Sequence, residues 1–211
     1  MCIFGSDYQL PTDVMNEAME RLMSGNAEEL RVKRSAYIMN IYLPYDKTGA
    51  TRVLAISADA TFKQLHKAIQ RIFCWQDYHL YCFEILNNEM EIIASVMCNA
   101  DKDALQGYAV SAKLRKLLGD GCRLVYTYDY GDDWKHYIEA KYVDDYTNAL
   151  PDCLIGEGDA PPEDVGGVDG YLEFKRIIGD KSDPEHDEML EWAQSNGWSH
   201  FDLAAVNRRL K

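Results

Sequence analysis

The chain has 211 residues, 47% of them apolar and 27% charged, so it is a globular protein long enough to bury a core without a disulfide or metal staple. Its 22 Lys and Arg against 35 Asp and Glu leave a net charge of −13, which argues against direct nucleic-acid binding. No apolar run approaches the roughly 20 residues of a membrane span, and the first residues lack the basic and apolar regions of a secretory signal, so a cytoplasmic protein with no membrane partner is expected.

Residues 12–31 read as a helix, with Val14, Met15, Ala18, Met19, Leu22 and Met23 at helical spacing behind Thr12 or Asp13. With the short basic cluster Arg31, Lys33 and Arg34 it makes an N-terminal helical extension, 1–34, ahead of one compact domain at 35–211. Residues 36–43 and 51–57 alternate as two strands around a Pro44–Gly49 loop, and the pair reads as a hairpin. Thr61 and Gln64 have the spacing of a capping box, and Phe62, Leu65, Ile69 and Ile72 form a stripe that must cover a sheet. His66, beside that stripe, reads as a half-exposed helix residue. Strands at 79–86 and 90–96 meet at Asn87-Asn88, and Ser111 opens a helix to Leu118. Runs of β-formers at 122–130 and 134–143 flank Gly131-Asp132-Asp133 as a second hairpin, with Tyr126, Tyr128 and Tyr130 on one face and Trp134, His136 and Ile138 sharing a face of the next strand. Residues 144–170, rich in Asp, Gly and Pro, read as a long loop. Tyr171, Phe174, Ile177 and Ile178 mark one later helix, Met189, Leu190 and Trp192 another, and Asp202 caps a last one. The class is α+β: a mixed or antiparallel sheet from two or three hairpins, covered by helices.

The acidity is concentrated. Residues 129–191 hold 19 acidic and 5 basic residues, whereas 1–128 hold 15 and 14. Such a stretch attracts cations or a basic partner, and it also serves as a solvated surface. Within it, Asp133 and His136 lie three residues apart across a turn. They suit a divalent metal or general-base work if they converge. The structural alternative is that Gly131 supplies a positive φ, Asp132 bonds local amides, Trp134 plugs the core and His136 is a hydrogen-bonded strand residue. In Pro161-Pro162-Glu163-Asp164-Val165-Gly166-Gly167, two prolines stiffen the chain before two acids and two glycines turn it afterwards. That presents Glu163 and Asp164 rigidly, either to a cation or guanidinium or to the amides of the next helix. His79, at a strand start, is a further candidate for the same cleft. The six cysteines show no zinc spacing and no CxxC, so they read as reduced core fillers. Cys153 would act as a nucleophile only beside a base such as His136.

Three segments carry a resemblance: Thr61–His66 with Trp75 and His79–Phe83; Tyr128–His136; and Cys153 followed by Pro161–Gly167 and Gly170-Tyr171. In this order the chain resembles the plasmid pRiA4b ORF-3-like family over roughly residues 35–211. The resemblance implies a compact α+β domain with a mixed sheet, found partly on mobile elements, and brings no defined activity. Two positions depart from the family pattern: Tyr81 stands where many members carry a second histidine, and Thr51-Arg52-Val53 replaces a more basic stretch. Two functions are consistent with these features. One is a binding module whose acidic loop face docks a basic protein segment or a small cationic ligand. The other is a metal-dependent hydrolase using Asp133, His136, Glu163 and Asp164.

Overall fold

A computed structural model describes residues 33–98 and 107–211, together with Asn16, Glu17 and Glu20. Of the helix expected over 12–31, Asn16, Glu17 and Glu20 are described and are helical; the rest of it, and with it most of the extension 1–34, lies outside the described residues. Among the described residues, eight strands form one sheet: β1 (Arg34–Leu43), β2 (Ala50–Ser57), β3 (Tyr81–Leu86), β4 (Ile92–Met97), β5 (Gly107–Ala109), β6 (Cys122–Tyr128), β7 (Trp134–Tyr146) and β8 (Asp152–Glu157). Their spatial order is β5-β4-β3-β6-β7-β1-β2-β8, and only β4 and β5 run parallel. The helices among the described residues are α1 (Phe62–Ile72), α2 (Leu114–Leu117), α3 (Gly167–Gly179), α4 (His186–Ser195) and α5 (Leu203–Leu210). The fold is α+β with a mixed sheet, as the pattern of elements predicts.

β1 lies between β7 and β2, and every residue from Ala36 to Leu43 is buried. Tyr37, Met39, Ile41 and Leu43 point into the main core, where the Phe62, Leu65, Ile69 and Ile72 stripe of α1 meets them. Ala36 and Ile38 point the other way, into a smaller cluster with Val53, Ala55, Tyr146 and Ile155. Each fully buried aliphatic side chain contributes roughly 1.5–3 kcal/mol, which is why alternation gives way to continuous apolarity in a strand covered on both faces. The capping box of α1 is formed: the Gln64 amide donates to Thr61 Oγ1 at 3.2 Å, and the Thr61 amide donates to Gln64 Oε1 at 2.8 Å.

Several sequence expectations change. The stretch 144–170 is not one loop: β7 continues to Tyr146, and β8 adds to the free edge of β2 with Val53 opposite Ile155. The three-residue apolar run Cys153-Leu154-Ile155 is short, and backbone pairing to β2 makes it a strand despite its Asp, Gly and Pro surroundings. Ser111 does not open a helix. The Val110 and Ala112 carbonyls instead accept the Lys63 and Phe62 amides at 2.9 and 3.1 Å, closing the start of α1, and only a single turn follows from Lys113. Tyr130 leaves the face it was expected to share: it lies past the end of β6 and is exposed.

Candidate functional site

The segment leaving α1 sets the geometry. Cys74 and Asp77 sit in left-handed backbone, at φ 63° and 62°. A closed ring of hydrogen bonds holds Asp77 there. The Asp77 amide donates to Gln70 Oε1 at 3.0 Å, and Gln70 Nε2 donates to the Tyr126 hydroxyl at 3.1 Å. That hydroxyl donates to His66 Nδ1 at 2.8 Å, and His66 Nε2 donates to Asp77 Oδ1 at 2.6 Å. This arrangement uses each donor once with a neutral imidazole. Burial lowers the His66 pKa, with Asp77 opposing the shift. His66 is therefore buried rather than half-exposed. Its ring stacks on Tyr81 at 3.5 Å, so the residue at the family's second-histidine position supports it by packing.

The ring aims Trp75 and Gln76 at the double-proline corner. Trp75 Nε1 donates to the Pro161 carbonyl at 2.8 Å, and Trp198 Nε1 donates to the Ala160 carbonyl at 2.9 Å. The Gln76 amide donates to Glu163 Oε2 at 2.6 Å, and the Tyr128 hydroxyl donates to Glu163 Oε1. The Tyr128 oxygen in turn accepts the Tyr78 and His79 amides at 3.0 and 3.4 Å. Pro161, Pro162 and Glu163 are all buried, with Glu163 only 5% exposed. Glu163 thus faces inward as an anchor, while the side chain of the next residue, Asp164, is 62% exposed. Tyr171 is buried below, and its hydroxyl donates to the Asp159 carbonyl at 3.2 Å.

The corner packs against the turn between β6 and β7. The Gly166 amide donates to Asp132 Oδ2 at 3.1 Å, and Gly167, at φ 69°, leaves room for the Asp132 carbonyl, which a Cβ would meet at 3.0 Å. This close approach brings three donor groups from separate segments together. His79 Nε2 lies 2.9 Å from Asp164 Oδ1 and 3.7 Å from Asp129 Oδ2. Asp129 and Asp164 both occupy left-handed backbone, at φ 55° and 59°. The positive φ expected at Gly131 falls instead on Asp129 and Asp133, since Asp tolerates that region when its carboxylate bonds locally. The Gly131 amide donates to Asp129 Oδ1 at 2.9 Å, and a Cβ on Gly131 would crowd the same oxygen at 3.2 Å.

The other candidates go elsewhere. Asp133 is exposed and pairs with Lys135 at 2.5 Å. His136 has no exposed surface and is packed among Phe73, Trp75 and Tyr126. Its Nδ1 lies 3.3 Å from the Tyr126 carbonyl, and burial depresses its pKa to about 3. Trp134 is buried beside it in β7. A hydrolytic centre from Asp133, His136, Glu163 and Asp164 is therefore not assembled, because the first points to solvent and the second and third into the core. Cys153 is buried on β8, and burial pushes its thiol up to about 12, which removes it as a nucleophile at neutral pH. Arg52 is buried as well. It donates to the carbonyls of Thr51, Ile72, Glu157 and Gly158 and lies 3.9 Å from the Phe201 ring centre. Burial lowers its pKa to about 10, so it stays charged.

On the other side of Asp164, α3 and α4 enclose a groove of about 690 Å³. Asp164, Glu173, Glu185 and Glu188 supply its carboxylates, and Phe174, Met189 and Trp192 its apolar surface. Among the described residues, no Lys or Arg lines it. Glu173 pairs with Arg176 at 2.8 Å outside the groove lining. Sequence reading found Asp164 but missed Asp129 and the helix acids. The available signals were an Asp directly after an alternating strand and the acidic stretch Glu185-His186-Asp187-Glu188 ahead of Trp192.

The family model described as plasmid pRiA4b ORF-3-like protein matches residues 35–210. The chain is 32% identical over 171 residues to the uncharacterized protein y4hQ of Sinorhizobium fredii (strain NBRC 101917 / NGR234), covering 80% of this chain and 84% of that one. It is similar to the crystal structure of MM3350 from Methanosarcina mazei Go1, a protein of unknown function. The TM-score is 0.68 at 28% identity, over 82% of this chain and 98% of the other.

Proposed function

The chain belongs to the plasmid pRiA4b ORF-3-like family, and we propose that it acts as a binding module that docks a lysine- or arginine-rich protein segment. The observation that carries this reading is the groove between α3 and α4, with four carboxylates around an apolar surface, Glu185 and Glu188 among them, and no Lys or Arg among the described residues of its lining. A long basic side chain has a matching division. Its aliphatic stem packs on Phe174, Met189 or Trp192, and its charged head reaches the carboxylates. The indole of Trp192 adds a cation–π partner. The net acidity of residues 129–191 attracts a basic partner to the protein, with a strong dependence on salt.

The test is binding of a fluorescein-labelled Lys/Arg-rich decapeptide, followed by anisotropy at two salt concentrations. Exposed ion pairs contribute roughly 0.5 kcal/mol each, so Glu185→Gln with Glu188→Gln should weaken binding about five-fold. Asp144→Asn with Asp145→Asn removes the same charge from β7 and should change affinity less than two-fold. Equal losses in the two double variants would mean a diffuse field without a groove and would overturn the proposal. Free arginine competing as strongly as the peptide would overturn it in favour of a small cationic ligand.

A further inference from the structure

We propose that His79, Asp129 and Asp164 form a binding site for one borderline divalent cation of the Zn²⁺ or Co²⁺ class. The donor atoms, His79 Nε2 and one oxygen from each aspartate, lie within 4.8 Å of one another. A metal at about 2.0–2.2 Å from nitrogen and oxygen ligands holds its donors about 3.0–3.5 Å apart. The 2.9 and 3.7 Å separations from His79 are close to that, and the two carboxylate oxygens, within 4.8 Å of each other, close the remainder by side-chain rotation. One imidazole with two carboxylates is a mixed nitrogen and oxygen set. It suits borderline ions better than Ca²⁺, which prefers oxygen alone, or soft Cu(I), which prefers sulfur.

Local contacts stand behind the donors. The Tyr128 hydroxyl accepts the Tyr78 amide at 3.0 Å and, more weakly, the His79 amide at 3.4 Å, and the His79 ring meets the Tyr128 ring edge-on at 5.8 Å. Asp129 gives one oxygen to the Gly131 amide and turns the other toward His79. Asp164 follows directly on the anchored Glu163. The three donors come from three segments that are 50 and 35 residues apart in sequence, with Asp129 tied to the Gly131 amide and Asp164 carried by the anchored Glu163 beside it. Three protein donors, one of them mostly exposed, leave coordination positions for water or a further ligand, unlike the closed four-ligand site of a structural zinc.

The probe is Co²⁺ titrated into chelator-dialysed full-length protein, read by its visible d–d absorption, with Zn²⁺ competition for affinity. One equivalent is expected to bind. His79→Ala and Asp129→Asn should each weaken binding at least about 100-fold, at or beyond the loss expected from removing a mere supporting partner. Asp133→Asn should leave binding unchanged. Asp129→Asn keeps an oxygen for the Gly131 amide, so it decides the matter if His79→Ala fails to fold by far-UV circular dichroism. No saturable uptake overturns the site, as does uptake unaltered by Asp129→Asn, or uptake of Ca²⁺ with Zn²⁺ and Co²⁺ excluded. The Glu185→Gln, Glu188→Gln protein should bind Co²⁺ normally, so failure of the peptide-docking reading leaves this result separate.

Discussion

Removing one oxygen atom at Tyr128 tests whether the Glu163 anchor holds the double-proline corner to the sheet. The Tyr128 hydroxyl donates to a buried carboxylate and accepts two backbone amides, at 3.0 and 3.4 Å. Burial, reinforced by Glu163, raises its pKa, so it remains a donor at any pH of interest. Tyr128→Phe keeps the ring against Trp75 and leaves Glu163 with the Gln76 amide as its remaining donor. A hydrogen bond to a charged group contributes about 1.5–3 kcal/mol net, and the stranded Tyr78 amide adds about 1 kcal/mol, while the 3.4 Å bond from His79 adds little. The expected loss is about 3 kcal/mol, which for a chain of this size lowers the melting temperature by roughly 6–12 °C. Urea unfolding followed by tryptophan fluorescence measures it. Native-state hydrogen exchange should show the Tyr78 and His79 amides exchanging faster. Tyr108→Phe, at an exposed ring, is the control and should stay within about 0.5 kcal/mol. A Tyr128→Phe protein as stable as that control would refute the anchor, and the corner would then be held by its other contacts, with Trp75, Trp198 and Asp132.

Three further outcomes are expected. Arg52→Lys should cost about 2–4 kcal/mol in urea unfolding, because an ammonium cannot reach four carbonyls or stack on Phe201 as the guanidinium does. His136, fully buried with its pKa depressed to about 3, binds a proton in the unfolded chain before the folded one. Its contribution is therefore present above the unfolded value of about 6.5 and is lost at about 1.4 kcal/mol per pH unit as pH falls toward the folded value. His136→Phe should flatten the stability profile between those limits relative to wild type, and an unchanged slope would contradict the assignment. Gly170→Ala should destabilise the protein by about 2 kcal/mol or more in thermal melts, since the new Cβ would overlap the Val165 carbonyl oxygen at the start of α3.

The parts of this fold that local pattern fixes were legible. The Thr61–Gln64 box states the start of α1 within four residues, and its apolar stripe states which face is covered. Asp202 caps α5 by accepting the Ala205 amide at 2.5 Å, again a local device. β8 was not legible, because a six-residue edge strand is made by the hydrogen bonds β2 offers it, and its own apolar run is only three residues long. Arg52 illustrates the same limit. An arginine in an alternating strand reads as solvent-facing, and only the carbonyls of Ile72, Glu157 and Gly158, distant in sequence, make its burial tolerable.

The site divides in the same way. The stiffness of the Pro161–Gly167 corner was readable from proline and glycine chemistry, but which of its two acids faces outward was not. That choice depends on Tyr128 and on the Gln76 amide, which lie 35 and 87 residues away. Once Glu163 is drawn inward by those donors, the left-handed backbone at Asp164 turns the next carboxylate outward to His79. Asp129 reaches the same point by a parallel route: left-handed backbone at the end of β6, one oxygen spent on Gly131 and the other left toward His79. Sequence proximity favoured Asp133 and His136 as partners, yet the strand pleat sends His136 into the core while the turn sends Asp133 to Lys135. The donors that converge are those placed at the ends of strands and corners, where the backbone can leave regular geometry. A search confined to short motifs therefore finds the anchors of this site more readily than its exposed groups.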